Sequence, residues 1–300
     1  MGYRHIDNLY KDQTVLQFRE CFALEKVHGT SAHIRWKVPA PPLTKDGVLA
    51  NGEIHYGSGG EKHERFVGLF DDAALRAKFA ALGHVSVTVY GEAYGGAQQG
   101  MSGTYGKALC FIVFEVQIDE TWLNVENAAD VAAKLGLEFV PYERGPATVE
   151  WLNEQRDADS LVAVRRGMGA GQKREGVVVR PVAEFRDNRG ERVMAKHKRD
   201  DFRETRTPRE VDPAQLKVLA DAEAIALEWV TDMRLSHVLD KIPVGADDKH
   251  GAELTGTVIK AMIADIEREA KGEIVESPAA RKAISAATSK LFKARWGKLP

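Results

Sequence analysis

Cysteine is nearly absent from this 300-residue chain, which holds two, Cys21 and Cys110. Both sit inside apolar runs (ECFAL and ALCFIVF), which suits reduced core thiols and argues against a disulfide framework or a cysteine-rich metal site. Long apolar runs are missing too. Nothing approaches the about 18 uninterrupted apolar residues of a membrane span, and MGYRHIDNLYKD carries charge where a secretory leader is apolar. A cytoplasmic protein is expected, with no membrane partner. Net charge is slight as well, 42 Lys and Arg against 44 Asp and Glu, so the field of the whole molecule points to no nucleic-acid partner. No internal repeat or low-complexity tract is found.

What is present divides in two, as the length also suggests. From Cys21 to about Val116, short apolar runs alternate with Gly, Pro and Asn, as in CFALEK, AHIRWKV, VSVTVYGEA and LCFIVFEV, and these read as strands. Asn51-Gly52 is a hairpin signal, and VPAPPLTKDG ahead of it reads as an exposed connection. Helices are predicted over Glu64 to Leu82, over Val125 to Leu135 with Gly136 as its stop, and near Thr148 to Arg156. Two more strands, EGVVVRP and RVMAKHK, follow without βαβ regularity, so an α+β core on antiparallel sheets is expected. After Thr207-Pro208, helical spacing governs Pro213 to Val238, Leu254 to Lys271 and Pro278 to Trp296, with Asp212-Pro213 and Ser277-Pro278 as starts. The division predicted is residues 1–206 and an all-helical domain over 207–300. Between Arg165 and Arg209 basic residues crowd together, which fits a phosphate-binding surface and equally a solvated face paired to Asp200, Asp201 and Glu204.

The sharpest local feature is Glu25-Lys26-Val27-His28-Gly29-Thr30-Ser31, a lysine at the end of an apolar strand with His-Gly two residues on. A lysine nucleophile must be unprotonated, so its pKa has to fall from about 10.4 through desolvation or nearby cations. AKHK supplies such cations, because alternation puts Lys196 and Lys198 on one strand face and His197 on the other. Glu92 in VTVYGE and Glu175 in KREGVVVR are carboxylates at strand ends beside glycine, a setting that suits ribose contacts or a hard cation such as magnesium. Phe114 offers a ring for a base, although a core phenylalanine usually only packs. His28 fits a structural or a catalytic role, and Thr30 and Ser31 fit strand termination or nucleotide contact. His63, His84, His237 and His250 read as surface residues. The glycine-rich GEAYGGAQQGMSGTYGK and RRGMGAGQK do not match a phosphate loop, since Met101 stands where GxxxxGK needs its first glycine before Gly106-Lys107.

Taken in order, Lys26-Val-His-Gly, Val89-Tyr-Gly-Glu92, Phe111-Ile-Val-Phe114-Glu115-Val, Glu175-Gly-Val-Val and Lys196-His-Lys198 resemble the nucleotidyltransferase motifs of covalent nucleic-acid ligases and capping enzymes. Histidine at position 28, the run Lys196-His-Lys198-Arg-Asp-Asp-Phe202-Arg-Glu204 and the helical tail resemble the RNA ligase 2 family. That resemblance implies an ATP-grasp-like ligase core, here residues 1–206 as the adenylyltransferase, and ATP with Mg2+ or Mn2+. It implies a Lys26-AMP intermediate, transfer of the adenylate to an RNA 5′-phosphate, and displacement of AMP by a 3′-hydroxyl. Lys26, His28, Lys196 and Lys198 are then the catalytic set. Glu25, Lys26, Ser31, Glu92, Phe114, Glu175, Lys196 and Lys198 are the nucleotide contacts, and Glu175 and Glu92 the metal ligands. RNA nicks in duplex, bridged or RNA/DNA hybrid strands are the substrate implied, acted on by a monomer.

Three positions depart from the family pattern: Ser31 stands for Asn, Glu115 for Asp, and the stretch before Glu92 offers His55 and Arg65 where relatives carry an arginine for the 5′-phosphate. They keep two other readings in view, a DNA-nick ligase or capping-type enzyme, and a catalytically inactive RNA-binding relative.

Overall fold

The computed structural model describes residues 3–40, 51–211, 218–242 and 251–296. They form two compact units, Met1–Asn8 with Asp12–His197, and Leu9–Lys11 with Lys198–Pro300. Among these residues no helix is long and apolar enough to cross a membrane.

The first unit is α+β. Its strands are β1 Glu20–Lys26, β2 Thr30–Lys37, β3 Glu53–Ser58, β4 Ser86–Gly95, β5 Leu109–Ile118, β6 Thr121–Trp122, β7 Tyr142–Pro146, β8 Gly176–Pro181 and β9 Ala195–Lys198, the last ending across the boundary. They make a four-stranded sheet ordered β7-β1-β8-β9 and a five-stranded antiparallel sheet ordered β3-β2-β4-β5-β6. In β2 the alternation is strict. Thr30, Ala32, Ile34 and Trp36 are buried, while Ser31, His33, Arg35 and Lys37 face outward, as a strand covered on one face requires.

Two layers of apolar side chains flank the larger sheet. On one side Ile34, Trp36, Val87, Val89, Val113 and Val116 pack against α1 His63–Val67, α2 Asp72–Leu82 and, after the short α3 Ser102–Tyr105, α4 Val125–Leu135, through Phe66, Phe79 and Leu135. Trp36 and Phe79 stack with their planes 3° apart. Phe22 and Leu24 of β1 instead share a cluster with Ile112, Tyr94, Tyr105 and Val162, which joins the two sheets. Helices α5 Val149–Asp157 and α6 Leu161–Arg165 link β7 to β8.

The predicted helix over Glu64 to Leu82 is in fact α1 and α2, because Asp71 takes an extended backbone and its side chain accepts from Ala74 N, starting a new helix. By contrast, α4 begins at Asn124, whose side chain accepts from Asn127 N, and stops at Gly136 with φ +73°, as predicted. Asn51-Gly52 directly precedes β3, but the segment 41–50 that would form the other arm of the hairpin lies outside the described residues.

The second unit holds α7 Ala222–Trp229, α8 Asp232–Asp240, α9 Gly251–Glu269 and α10 Pro278–Trp296. Ile225, Trp229, Leu235, Val258, Met262, Ile266 and Ile284 form its core. One predicted helix over Pro213 to Val238 becomes two, since Val230 is extended and Thr231 accepts from Arg234 N to cap α8. The Asp212-Pro213 start lies outside the described residues, whereas Ser277 does cap α10 through Ala280 N at 3.1 Å.

Candidate active site

Antiparallel pairing of β1 with β8 sets Lys26 opposite Gly176, which carries Glu175 to the same strand end. The Lys26 ammonium lies 2.8 Å from Glu175 Oε2, and His28 Nδ1 lies 3.1 Å from the same oxygen. Glu175 is buried, His28 is buried, and Lys26 keeps about a quarter of its side chain exposed. One carboxylate oxygen therefore holds together the lysine and the histidine of the Lys-x-His-Gly sequence, with the lysine open to a ligand.

The chain then turns sharply into β2. A Cβ on Gly29 would stand 2.3 Å from the Ala93 carbonyl oxygen and 3.0 Å from Tyr94 Cβ, so β4 passes too close for any side chain. The Gly29 amide donates to Glu92 Oε1 at 3.1 Å, and the His28 amide to Tyr105 Oη at 3.4 Å. Ser31, exposed, is the cross-strand partner of Glu92. Lys26, His28, Glu175, Glu92 and Ser31 are thus gathered at one place by β1, β2, β4 and β8. Gly29→Ala is expected to push the turn off β4, break the Glu92 contact and destabilise the protein by about 1–3 kcal/mol. A urea midpoint unchanged from wild type would contradict this close fit.

Other expected residues have different surroundings. Glu25 is buried, and its oxygens accept from Ser160 Oγ, from Leu161 N at 2.9 Å and from Val162 N at 3.4 Å. Arg174 stands 3.8 Å away. Burial pushes the Glu25 carboxyl above the usual range, against the pull of Ser160, Arg174 and the two amides. Its side chain anchors the start of α6, on the strand face opposite Lys26. Phe114, half-buried on β5, meets the edge of Tyr3 at 4.9 Å between centroids. Lys196 is buried, with its amide donating to the Asp7 carbonyl at 2.9 Å. Lys198 begins the second unit and is ion-paired there with Glu204. His237, expected at the surface, is half-buried and bonds Glu204 at 2.9 Å.

Of the residues weighed for the absent arginine, His55 is exposed on β3 and Arg65 pairs with Glu61 at 3.3 Å. Arg35, cross-strand partner of His55, shares the outward face of β2 with Ser31 and His33. Glu115 is a buried hub, accepting from Arg192 and Tyr3 and lying 3.1 Å from Arg180. No local pattern joins Tyr3 to Glu115. Ser160 could have been found as the cap of LVAVR.

His197, between the two lysines, is buried with Nε2 2.7 Å from Asn153 Oδ1 and 3.3 Å from Arg156. Burial and the Arg156 guanidinium hold its pKa down at about 4, against about 6.5 when unfolded. Between those values only the unfolded chain takes the proton. The stability His197 contributes is complete above about pH 6.5 and is lost as pH falls towards about 4. Urea midpoints over that range should fall more steeply for wild type than for His197→Gln, and equal slopes would count against the buried neutral imidazole.

A model of the RNA ligase family matches residues 19–198, three fifths of the chain. Solved structures similar to it include Naegleria gruberi RNA ligase with PPi (14% identity, TM-score 0.47) and lysine variants of that ligase with ATP and Mn, and with AMP and Mn (both 13%, 0.47). Each match covers 67% of this chain and 57% of the other, so the chain spans less than two thirds of the length of these structures. No curated protein matches in sequence. The matched span contains β1 to β9 and every one of the site residues named from the sequence, from Glu25 to Lys198, and by that match the chain belongs to the RNA ligase family.

Proposed function

We propose that the protein is an ATP-dependent RNA ligase that joins a 3′-hydroxyl to a 5′-phosphate at nicks in duplex or bridged RNA, through an adenylate on Lys26. The observation that carries this reading is the solvent-open Lys26 ammonium on the buried Glu175 carboxylate, with His28 on the same oxygen. In the first step Lys26 Nζ attacks the α-phosphorus of ATP, forming an N–P bond while the bond to pyrophosphate breaks. The proton that Nζ gives up has Glu175 and His28 within reach. An oxygen of the RNA 5′-phosphate then takes the adenylate from Lys26, and the 3′-hydroxyl displaces AMP. Each step is an in-line displacement that depends on positioning and neutralised charge.

Phe114 supplies the face for adenine, Glu92 and Ser31 the ribose side, and Lys196 and Lys198 the phosphates. Glu175 and Glu92 each offer hard oxygen donors of the kind Mg2+ or Mn2+ takes, and such an ion would offset charge on the triphosphate. Residues 1–206 are assigned the adenylyl transfer and 207–300 a helical domain.

The test is a nicked RNA duplex with a labelled 5′-phosphate, incubated with the protein, ATP and magnesium. Joined strand together with a 5′-adenylated intermediate is expected. A labelled protein formed from GTP in preference to ATP would move the activity to capping, and joining confined to DNA strands would overturn the choice of RNA.

A further inference from the structure

Phe114 stands on a bulge. Between β4 and β5, Tyr90 faces Glu115 across the ladder and the next residue, Gly91, faces Val113, so Phe114 is the extra residue with none opposite it. A bulge interrupts the alternation of its strand and re-aims the side chain it carries. The direction of the Phe114 ring is therefore set by what packs on it rather than by strand register.

Tyr3 is what packs there. Its ring meets Phe114 edge to face, with centroids 4.9 Å and planes 71° apart, and lies 5.3 Å from Tyr90 and 6.5 Å from Trp122. The Tyr3 hydroxyl donates to the buried carboxylate of Glu115, the residue next to Phe114. Burial and the Glu115 charge hold the phenol well above its usual range, so it keeps the proton it donates. The chain behind Tyr3 is tied down too, because the Asp7 carbonyl accepts from Lys196 N at 2.9 Å and Asn8 bridges Lys196 in parallel. Tyr3, Tyr90, Phe114, Glu115 and Lys196 all belong to the first unit.

A ring that must be ordered as a base arrives costs entropy, and one already fixed does not. We infer that Tyr3 is a positioning residue for Phe114, holding its ring at the angle at which it takes the adenine of ATP. This rests on the adenine role proposed above for Phe114. No nucleotide contact is assigned to Tyr3 itself.

The test measures affinity for the α,β-methylene analogue of ATP, which cannot transfer its adenylate, in full-length wild type, Tyr3→Ala, Phe114→Ala and the double variant. Tyr56→Ala is a matched loss elsewhere in the unit, since Tyr56 donates to Asp72 at 3.0 Å and packs on Phe66 and Phe70. Tyr3→Ala should weaken binding about threefold to tenfold, with no further loss when Phe114 is already replaced. With ATP itself, the half-saturating concentration for label uptake should rise by the same factor while the saturated rate stays near that of wild type. Tyr3→Phe should restore the affinity although its urea midpoint is lowered by the lost bond to Glu115. Tyr56→Ala should lower the midpoint and bind as wild type does. If Tyr3→Ala fails to fold, Tyr3→Leu, which keeps apolar bulk without a flat ring, should show the same loss.

Losses that add in the double variant, or affinities that follow the urea midpoint across Tyr3→Phe and Tyr56→Ala, would make Tyr3 merely structural and overturn the inference. Wild-type affinity in Tyr3→Ala would overturn it as well, and tighter binding would mean that Tyr3 blocks the ring rather than aims it. Wild-type protein that takes label from α-labelled ATP while Phe114→Ala binds normally removes this inference and leaves the ligase reading. Wild type that takes no label removes both.

Discussion

Lys26→Ala protein is expected to join no RNA from ATP and a 5′-phosphate strand, a loss of at least about a thousandfold, yet to join a strand supplied already adenylated. The first displacement needs an amine at Lys26 because the N–P bond is formed there. The last displacement uses only the 3′-hydroxyl, the adenylated end and the groups that align them. Arginine should not rescue the first step, since a guanidinium stays protonated at any pH the protein survives. Joining by Lys26→Ala from ATP at a rate near that of wild type would put the nucleophile elsewhere. Loss of both reactions, with the urea midpoint unchanged, would mean that Lys26 acts in more than the first step.

The second large effect is on stability. Glu115→Ala is expected to destabilise the protein by about 3–5 kcal/mol, because it removes the carboxylate between two buried guanidiniums. Arg180 is 1% and Arg192 5% exposed, and burial of Arg192 is offset by Glu115 and Glu184, which raise its pKa. Arg192 also lies over the Trp122 ring at 4.4 Å, and the Tyr3 hydroxyl donates to Glu115. Removing the hub leaves two cations in the interior sharing the Glu184 carboxylate. Thermal denaturation should register a fall of roughly 10 °C. Glu143→Ala, at an exposed position of β7, should shift it negligibly. A change below about 1 kcal/mol in Glu115→Ala would contradict the hub. This network also gives the departure from aspartate at position 115 a physical reason, since the longer side chain bridges Arg180 and Arg192.

Much of this could be read from the chain, and the failures have causes. The helix over Val125 to Leu135 was legible because both ends carry their own signals, Asn124 and Gly136. The split between α1 and α2 was less so, because the apolar spacing continues through Gly68 to Asp71 and only the cap at Asp71 interrupts it. Strand β7 was not legible at all. Tyr142–Pro146 is polar and ends in proline, as an edge strand can be, and its place comes from pairing with β1. Within the site, Lys26, His28 and Glu175 do meet, and the antiparallel register that joins them is tertiary information. Glu25 illustrates the opposite case. Adjacent strand residues face opposite sides, so alternation alone already set Glu25 and Lys26 apart, and the structure gives Glu25 to Ser160 and α6. His237 defeated sequence reasoning because its partner, Glu204, lies 33 residues away.

The adduct on Lys26 is the most direct test. Purified protein, first freed of bound AMP with pyrophosphate, is incubated with α-labelled ATP and magnesium, denatured, and digested for peptide mapping. The expected result is a single labelled peptide carrying AMP on Lys26, its bond cleaved by acid and stable to alkali, as a phosphoramidate is. A label on any other residue, or no label on a protein that binds RNA tightly, would contradict the account and leave an RNA-binding relative that has lost the chemistry.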